Sequence, residues 1–256
     1  MKRHLLGIYS AAALVFLHAP LLVLVAFSFN ASRFTVWEGF SLRWYRAALS
    51  DPQLAEGLAN SVIIAAVAAM LSTAIGTMAA YGMWRRSAPV LSGTLYLSLV
   101  TPEIVTGVSL LALFQWVFRF LRLPLGLHTV IVAHVAFSIA YVTIVISARL
   151  RNYDRSLEEA AMDLGASEWG AFYRVTLPSL APAIAAAGLL ALVVSFDDYV
   201  ITSLVAGVDS ETLPMVIYAM ARRGVSPVVN AVSAFIVVVF GVLILISQRL
   251  QARGTE

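Results

Sequence analysis

Residues 158–178 read EEAAMDLGASEWGAFYRVTLP. Glu158, Glu159, Asp163, Glu168 and Arg174 crowd into this segment of a 256-residue chain that is 61% hydrophobic and only 12% charged. Outward from it in both directions the charges vanish. Charge-free runs cover 5–32, 57–84, 123–148, 175–196 and 224–248, and the run 87–118 is broken only by Glu103. A helix needs roughly 20 apolar residues to cross a ~30 Å hydrocarbon layer, so each run is long enough to cross once. Six spans are predicted. The mean hydropathy of +0.88 excludes an ordinary soluble domain, in which about a quarter of residues are charged. Unbroken apolar blocks such as SVIIAAVAAML at 61–71 lack the in-out alternation of barrel strands. The expected fold class is all-α, a polytopic membrane helical bundle forming one domain over 1–256.

The chain contains no cysteine, which excludes disulfides and thiolate metal sites. Lys2 and Arg3 ahead of an apolar run resemble the start of a signal peptide, but the run is too long, contains Pro20 and lacks a small-x-small exit, so it reads as an uncleaved first span. With the N-terminus in the cytoplasm, Lys2, Arg3, Arg85, Arg86, Arg149, Arg151, Arg155, Arg174, Arg249 and Arg253 fall inside. Arg33, Arg43, Arg46, Arg119, Arg122, Arg222 and Arg223 then fall outside. That excess has the sign of the positive-inside rule and places both termini in the cytoplasm.

On this topology 150–177 is the large cytoplasmic connection between spans four and five. Ser156 and Glu159 have capping-box spacing, so a helix is expected to start there. Leu157, Ala160, Ala161 and Leu164 recur on one face, with Glu158, Glu159 and Asp163 around the others. Gly165 suits a left-handed stop, and Ser167 suits the cap of a second helix carrying Trp169, Phe172 and Tyr173. Pro178 is expected to open span five. The outcome is an elbow, which physics alone leaves divided between a loop lying on the membrane surface and a docking site for a soluble partner.

The spacing Glu159-Ala160-Ala161, three residues, Gly165, nine residues, Val175-x-Leu177-Pro178 resembles the EAA loop of ABC importer permeases, with valine in place of isoleucine. FSFNASRF at 27–34, TPEIV at 101–105, SFDDYVITSLVAG at 195–207 and TLPMVIYAMARRGVSPVVNA at 212–231 extend the resemblance over nearly the whole chain, toward the permease subunits of spermidine/putrescine importers. The resemblance implies a type I importer permease fold and a coupling helix that enters a cleft of a separate ATPase. Glu158, Glu159, Ala160, Ala161, Asp163, Gly165, Leu177 and Pro178 would form it. It also implies two ATPase subunits, a second homologous permease, a periplasmic or lipid-anchored binding protein, and residence in a bacterial plasma membrane. Related permeases for iron, phosphonates, opines or amino-acid-like solutes share the layout.

No G-x-x-x-x-G-K-[ST] phosphate loop is present, so the ATPase is expected on another chain, and neither an enzyme activity, a cofactor, a metal nor a nucleic-acid partner is expected here. Glu103, Asp197 and Asp198 lie within spans, where an ionisable group ordinarily faces a cavity or a partner. Their charge suits a cation such as a polyamine. Tyr199, Trp44 and Trp116 add candidate cation-π faces. On a continuous helix Asp197 and Asp198 point about 100° apart, so one is expected to face the pathway and the other to cap a loop or pair with Arg222 or Arg223. Pro102 is expected to break span three, and Asn60 and Ser61 to cap span two. His18, His128 and His134 have no metal-ligand spacing and read as packing residues; Gly76 and Gly82 read as close-packing positions. PMVIYAMARRG at 214–224 reads as a short outer helix with Leu213, Ile217 and Met220 on its underside. Two rivals remain: an intramembrane enzyme using Asp197 and Asp198, which lacks the second acid cluster such chemistry ordinarily has, and a passive channel, which needs no docking elbow.

Overall fold

This computed structural model describes the backbone of residues 2–34, 36–121, 123–224 and 227–253, and the side chains of 6–34, 36–117, 120, 123–224 and 227–242. Of the cations counted above, Arg122 and the side chains of Lys2, Arg3, Arg119, Arg249 and Arg253 lie outside the described residues. The helices are α1 (Lys2–Ser28), α2 (Arg43–Leu49), α3 (Pro52–Arg85), α4 (Pro89–Val100), α5 (Glu103–Leu121), α6 (Leu127–Leu150), α7 (Ser156–Asp163), α8 (Glu168–Ala171), α9 (Leu177–Asp197), α10 (Val200–Val205), α11 (Leu213–Arg222) and α12 (Pro227–Arg253). Among the described residues there is no strand beyond one isolated bridge, Asn30 to Phe40. In lipid each backbone polar group needs an internal partner, which is why even β-branched runs such as VTIVIS in α6 are helical.

Four helical stretches are long and apolar enough to cross a bilayer: Leu6–Ser28, Pro52–Arg85, Leu127–Leu150 and Glu168–Asp197. A fifth crossing is available only as the broken pair α4 and α5, bent by 110°. Pro102 sits at the break: it supplies no amide, and its ring disfavours helical geometry at the preceding residue, so Thr101 is extended at φ −66°, ψ 127°. In the last expected run, 224–248, the described apolar helix covers Pro227–Val242, short of a full crossing. The described residues thus contain four or five of the six predicted spans.

The chain divides into two compact units, Met1–Glu56 with Val216–Val242 and Gly57–Met215 with Leu243–Glu256. In the first, the segment after α1 is organised by Asn30, which is 1% exposed. Its Nδ2 donates to the carbonyls of Phe34 and Val36, its Oδ1 accepts from the amides of Ser32 and Glu38, and its own carbonyl accepts from Trp44 Nε1. Trp44 is thereby buried, Trp116, in the other unit, is exposed, and neither lines the cleft at the α9–α10 junction.

The second unit holds two cores. Ala69 and Ala80 of α3 pack with Val142, Ile146 and Leu150 of α6 and Leu180, Ala187 and Ala191 of α9. Ile64 packs with Phe114 of α5, Val130 and Ala133 of α6, and Ile201 and Val205 of α10. Small residues set the helix separations: a Cβ on Gly76 would lie 2.7 Å from Val142 Cγ1, and one on Gly107 2.6 Å from Leu204 Cδ1. Gly82 differs from expectation, since a Cβ there meets nothing within 4 Å.

Asn60 and Ser61 are not the cap of α3. That helix starts eight residues earlier, where Asp51 Oδ1 accepts from the amides of Gln53 and Leu54 and Pro52 opens the first turn. Asn60 and Ser61 instead hold the loop before α11. Asn60 Nδ2 donates to the carbonyl of Glu211 at 2.9 Å, and Ser61 Oγ accepts from the amide of Leu213 at 2.9 Å. In α11 the fully buried residues are Leu213 and Val216 rather than the expected Leu213, Ile217 and Met220. Gly224, at φ +128°, follows the helix.

Candidate functional site

Two groups of polar residues in the second unit are built by the fold, an elbow after α6 and a cleft at the α9–α10 junction. The elbow begins where α6 stops at Leu150. The start of α7 is capped by Asp154, not by the expected Ser156–Glu159 box: Asp154 Oδ1 accepts from the amide of Ser156 at 2.9 Å. That bond holds the Asp154 carboxyl below its ordinary pKa. Ser156 is already the first helical residue, so its hydroxyl is misplaced for capping, and Glu159 approaches Arg155 at 3.6 Å instead. The far end of α7 matches the expected stop. Gly165 takes φ +92°, its amide donates to the carbonyl of Met162 at 2.8 Å, and the amide of Ala166 reaches back to Ala161 at 3.0 Å. This paired closure needs a left-handed residue.

An alanine at 165 meets no atom within 4 Å, so only the backbone conformation resists it. Gly165→Ala is expected to cost about 1–2 kcal/mol of elbow stability. Faster proteolysis within 150–177 at an unchanged level of the whole chain would bear this out; an unchanged cleavage rate would refute it.

The side of α7 that turns inward carries Glu158, while most of its apolar face turns outward. Glu158 is 0% exposed, Ala161 and Met162 are half-buried, and Leu157, Ala160, Asp163 and Leu164 are exposed, Leu164 at 90%. The cause lies on α3. Arg85 Nη1 donates to Glu158 Oε2 at 2.9 Å and Arg85 Nη2 to Glu168 Oε1 at 2.9 Å. Glu158 Oε1 accepts from Thr176 Oγ1, whose oxygen also lies 3.4 Å from Tyr153 Oη. Around this network the rings of Tyr81 and Phe172 pack at a tilt with centroids 4.4 Å apart, and Trp84 meets Tyr153 at 5.7 Å. A buried carboxylate needs a cation and further hydrogen bonds to be tolerated, and here it has both. Arg85, Glu168 and Thr176 were not singled out from sequence, because a span-end arginine reads as a topology signal.

Ser167 Oγ accepts from the amide of Gly170 at 3.1 Å, as expected of a cap. Pro178 sits in the first turn of α9, as expected, but that helix is not separate from the elbow. A π-helical turn over Phe172–Thr176 lets the Leu177 amide reach the carbonyl of Phe172, so the helix runs on through the proline, which has no amide to place. Leu177 is half-buried and Pro178 exposed. Leu157, Glu159, Ala160, Asp163, Leu164, Trp169 and Tyr173 are among the exposed residues of the elbow.

The cleft has a volume of ≈ 370 Å³ and brings Glu103, Asp197, Asp198 and Tyr199 together with Thr101 and Tyr141. The break at Pro102 places Glu103 in the first turn of α5, facing the end of α9. Asp197 and Asp198 are not successive residues of one helix, since α9 ends at Asp197 and Asp198 is extended at ψ 123°. Asp198 is consumed by structure. Its Oδ2 accepts from the amide and the hydroxyl of Thr202, both at 2.7 Å, and lies 3.4 Å from His134 Nε2. The His134 ring is buried, with Nε2 2.9 Å from Thr202 Oγ1 and Nδ1 2.7 Å from Ser195 Oγ, the packing role expected for this histidine. Asp198 therefore caps α10, and the partners holding it are His134 and Thr202. Glu103 and Asp197 have no hydrogen-bond or ion-pair partner among the described residues.

A family model described as the binding-protein-dependent transport system inner membrane component matches residues 72–256, which take in both the elbow and the cleft. The chain belongs to that family. This transport component is 43% identical over 252 residues to the putrescine transport system permease protein PotI of Escherichia coli K12, covering 94% of the chain and 88% of PotI. It is 36% identical over 258 residues to the spermidine/putrescine transport system permease protein PotC of the same strain, covering 99% and 96%. Its fold is that of a bacterial ABC transporter involved in the import of the acidic polysaccharide alginate, at a TM-score of 0.72, 16% identity and 97% coverage of both chains. The transport component is thus a helical, multi-pass membrane protein.

Proposed function

We propose that the chain is the membrane-spanning permease subunit of an ATP-driven ABC importer for polyamines of the putrescine and spermidine kind. The observation that carries the cargo class is the cleft: Glu103 and Asp197 open on one ≈ 370 Å³ space with no cation among the described residues paired with them. A diammonium leaving water needs counter-charge to offset its lost hydration, and two carboxylates supply it. Tyr199 offers an aromatic face to the same cargo. The names of PotI and PotC point the same way.

In this reading the whole chain is one permease domain of six spans in the inner membrane, with both termini in the cytoplasm and 150–177 as its coupling segment. Glu159, Ala160, Asp163 and the apolar Leu157 and Leu164 meet an ATPase subunit, since small and apolar exposed side chains permit close approach. Glu158, Ala161, Gly165, Leu177 and Pro178 shape the elbow that is presented. ATP is hydrolysed by that partner, because the chain has no phosphate loop. A second permease completes the pathway, and a periplasmic or lipid-anchored binding protein delivers the cargo. The cavity changes sides because the partners bind one conformation better than the other.

Uptake of labelled putrescine and spermidine is measured in cells lacking this chain and complemented with it. Wild type is expected to restore uptake, Glu159→Lys to abolish it at normal membrane level, and Asp197→Asn to reduce it at least about tenfold through loss of one counter-charge. Failure of the wild-type chain to restore either cargo would sink the polyamine assignment. Full activity of Glu159→Lys would remove the coupling role of the elbow.

A further inference from the structure

The elbow and the loop ahead of α11 are both fastened to α3, at positions far apart along it. At one end Arg85 forks between Glu158 on α7 and Glu168 on α8, each at 2.9 Å. At the other, Asn60 and Ser61 hold Glu211 and Leu213. In these grips Glu158 is 0% exposed, Ser61 2% and Asn60 8%, whereas the second carboxylate on Arg85, Glu168, lies at the surface. Between them α3 is one continuous helix without an internal proline. The steps from 60 to 85 at ~1.5 Å each separate the two grips by about 37 Å.

The elbow is short and would be hinged on both sides without these contacts. α7 has eight residues and α8 four, and Gly165 lies between them. A lone α7 of this length is not a stable helix in water. Its polar anchor on α3 is one guanidinium whose two nitrogens each take a carboxylate from a different helix, beside the ring contacts of Tyr81 with Phe172 and of Trp84 with Tyr153. A lysine, with one compact charge, cannot hold both in that geometry. The loop 207–212 is likewise held tightly: the backbone at Gly207 leaves no room for a Cβ, which would sit 1.8 Å from the carbonyl oxygen of Leu125.

We propose that Arg85 is the positioning residue that makes the elbow and α3 one rigid lever, so that displacement of the elbow is delivered about 37 Å away to the loop 207–212. The source of the displacement rests on the ATP-driven reading given above; the rigidity does not. The lever assigns a task to α3 that neither the coupling elbow nor the cleft explains. A push on α7 reaches the far loop through one helix instead of through the cores between the helices.

Because the chain has no cysteine, two introduced ones are its sole thiol labelling sites. Ser156→Cys at the exposed start of α7 and Leu58→Cys, 39% exposed near the other end of α3, receive spin labels in lipid nanodiscs. Pulsed electron resonance is expected to give one narrow distance distribution in the otherwise wild-type chain, and a broad one in Arg85→Met and Arg85→Lys. In the assembled complex the wild-type distance is expected to stay fixed with and without trapped nucleotide, and uptake per ATP hydrolysed to fall about tenfold in Arg85→Met. A distribution in Arg85→Met as narrow as wild type, or a wild-type distance that changes by more than a helical turn (~5 Å) on nucleotide trapping, overturns the lever. Failure of the importer reading would show separately, as no uptake by wild type, and would leave the comparison of wild type with Arg85→Met in nanodiscs decisive.

Discussion

Glu158→Ala is expected to lower the stability of the chain by about 3 kcal/mol, the low end of the range for removing one member of a buried ion pair. The low end applies because the Arg85 side chain is 18% exposed and keeps its second carboxylate, Glu168, which is itself 73% exposed. Three losses combine in the variant. Arg85 Nη1 loses its acceptor, the fully buried hydroxyl of Thr176 loses the oxygen it donates to, and a space opens under α7. Glu158→Gln retains an acceptor for Thr176 and is expected to recover about half of the loss, because the charge on Arg85 is still uncompensated on that side. Thermal unfolding in detergent, followed by loss of the monodisperse protein peak, measures both variants. A Glu158→Ala chain that unfolds at the wild-type midpoint would show that the pair does not hold the elbow.

The second large effect is steric. Gly207→Ala puts a Cβ 1.8 Å from the carbonyl oxygen and 2.2 Å from the carbonyl carbon of Leu125, and 2.7 Å from the amide nitrogen of Gly126. All three atoms are backbone, so no side chain can swing away. The segment 125–126 or 206–208 has to move, and α6 begins immediately after the first of these. Overpacking of this kind costs typically 1–3 kcal/mol and more when the backbone itself is displaced. The variant is expected to accumulate poorly in the membrane. Gly82→Ala is the matched control, since its Cβ meets nothing within 4 Å and alanine is the better helix former by about 1 kcal/mol. Equal membrane levels of Gly207→Ala and wild type would refute the close approach; a loss in Gly82→Ala would point to a partner on that face.

How far the sequence reached differs between the two groups of site residues. The elbow was located to within a few residues, because capping and stop chemistry act locally: Gly165 and Ser167 perform the roles their types suggest. Its orientation was not legible. Leu157, Ala160 and Leu164 form the apolar stripe of α7, and a stripe ordinarily faces a core. Here the bond from Arg85 to Glu158 turns it outward, and a contact across 73 residues leaves no trace in periodicity. In the cleft, the acids were found because charge within an apolar run is rare, yet Asp197 and Asp198 looked equivalent. What separates them is the extended backbone at Asp198 and the buried ring of His134, a residue 64 positions earlier in the chain.

The sequence by itself determined the class and the medium: long charge-free runs can be stable only as helices in lipid, and one polar segment among them marks the elbow. Turn chemistry and the break at Pro102 are likewise written locally, because each depends on the conformational limits of one residue. Tertiary structure alone decided which carboxylates already have partners and which are open. Glu158 and Asp198 are closed by Arg85 and by His134 with Thr202, while Glu103 and Asp197 meet across a cleft. The physical reason is that a charge buried in a membrane protein is tolerated only with its partner in place, and the partner is brought there by helix packing rather than by sequence neighbourhood.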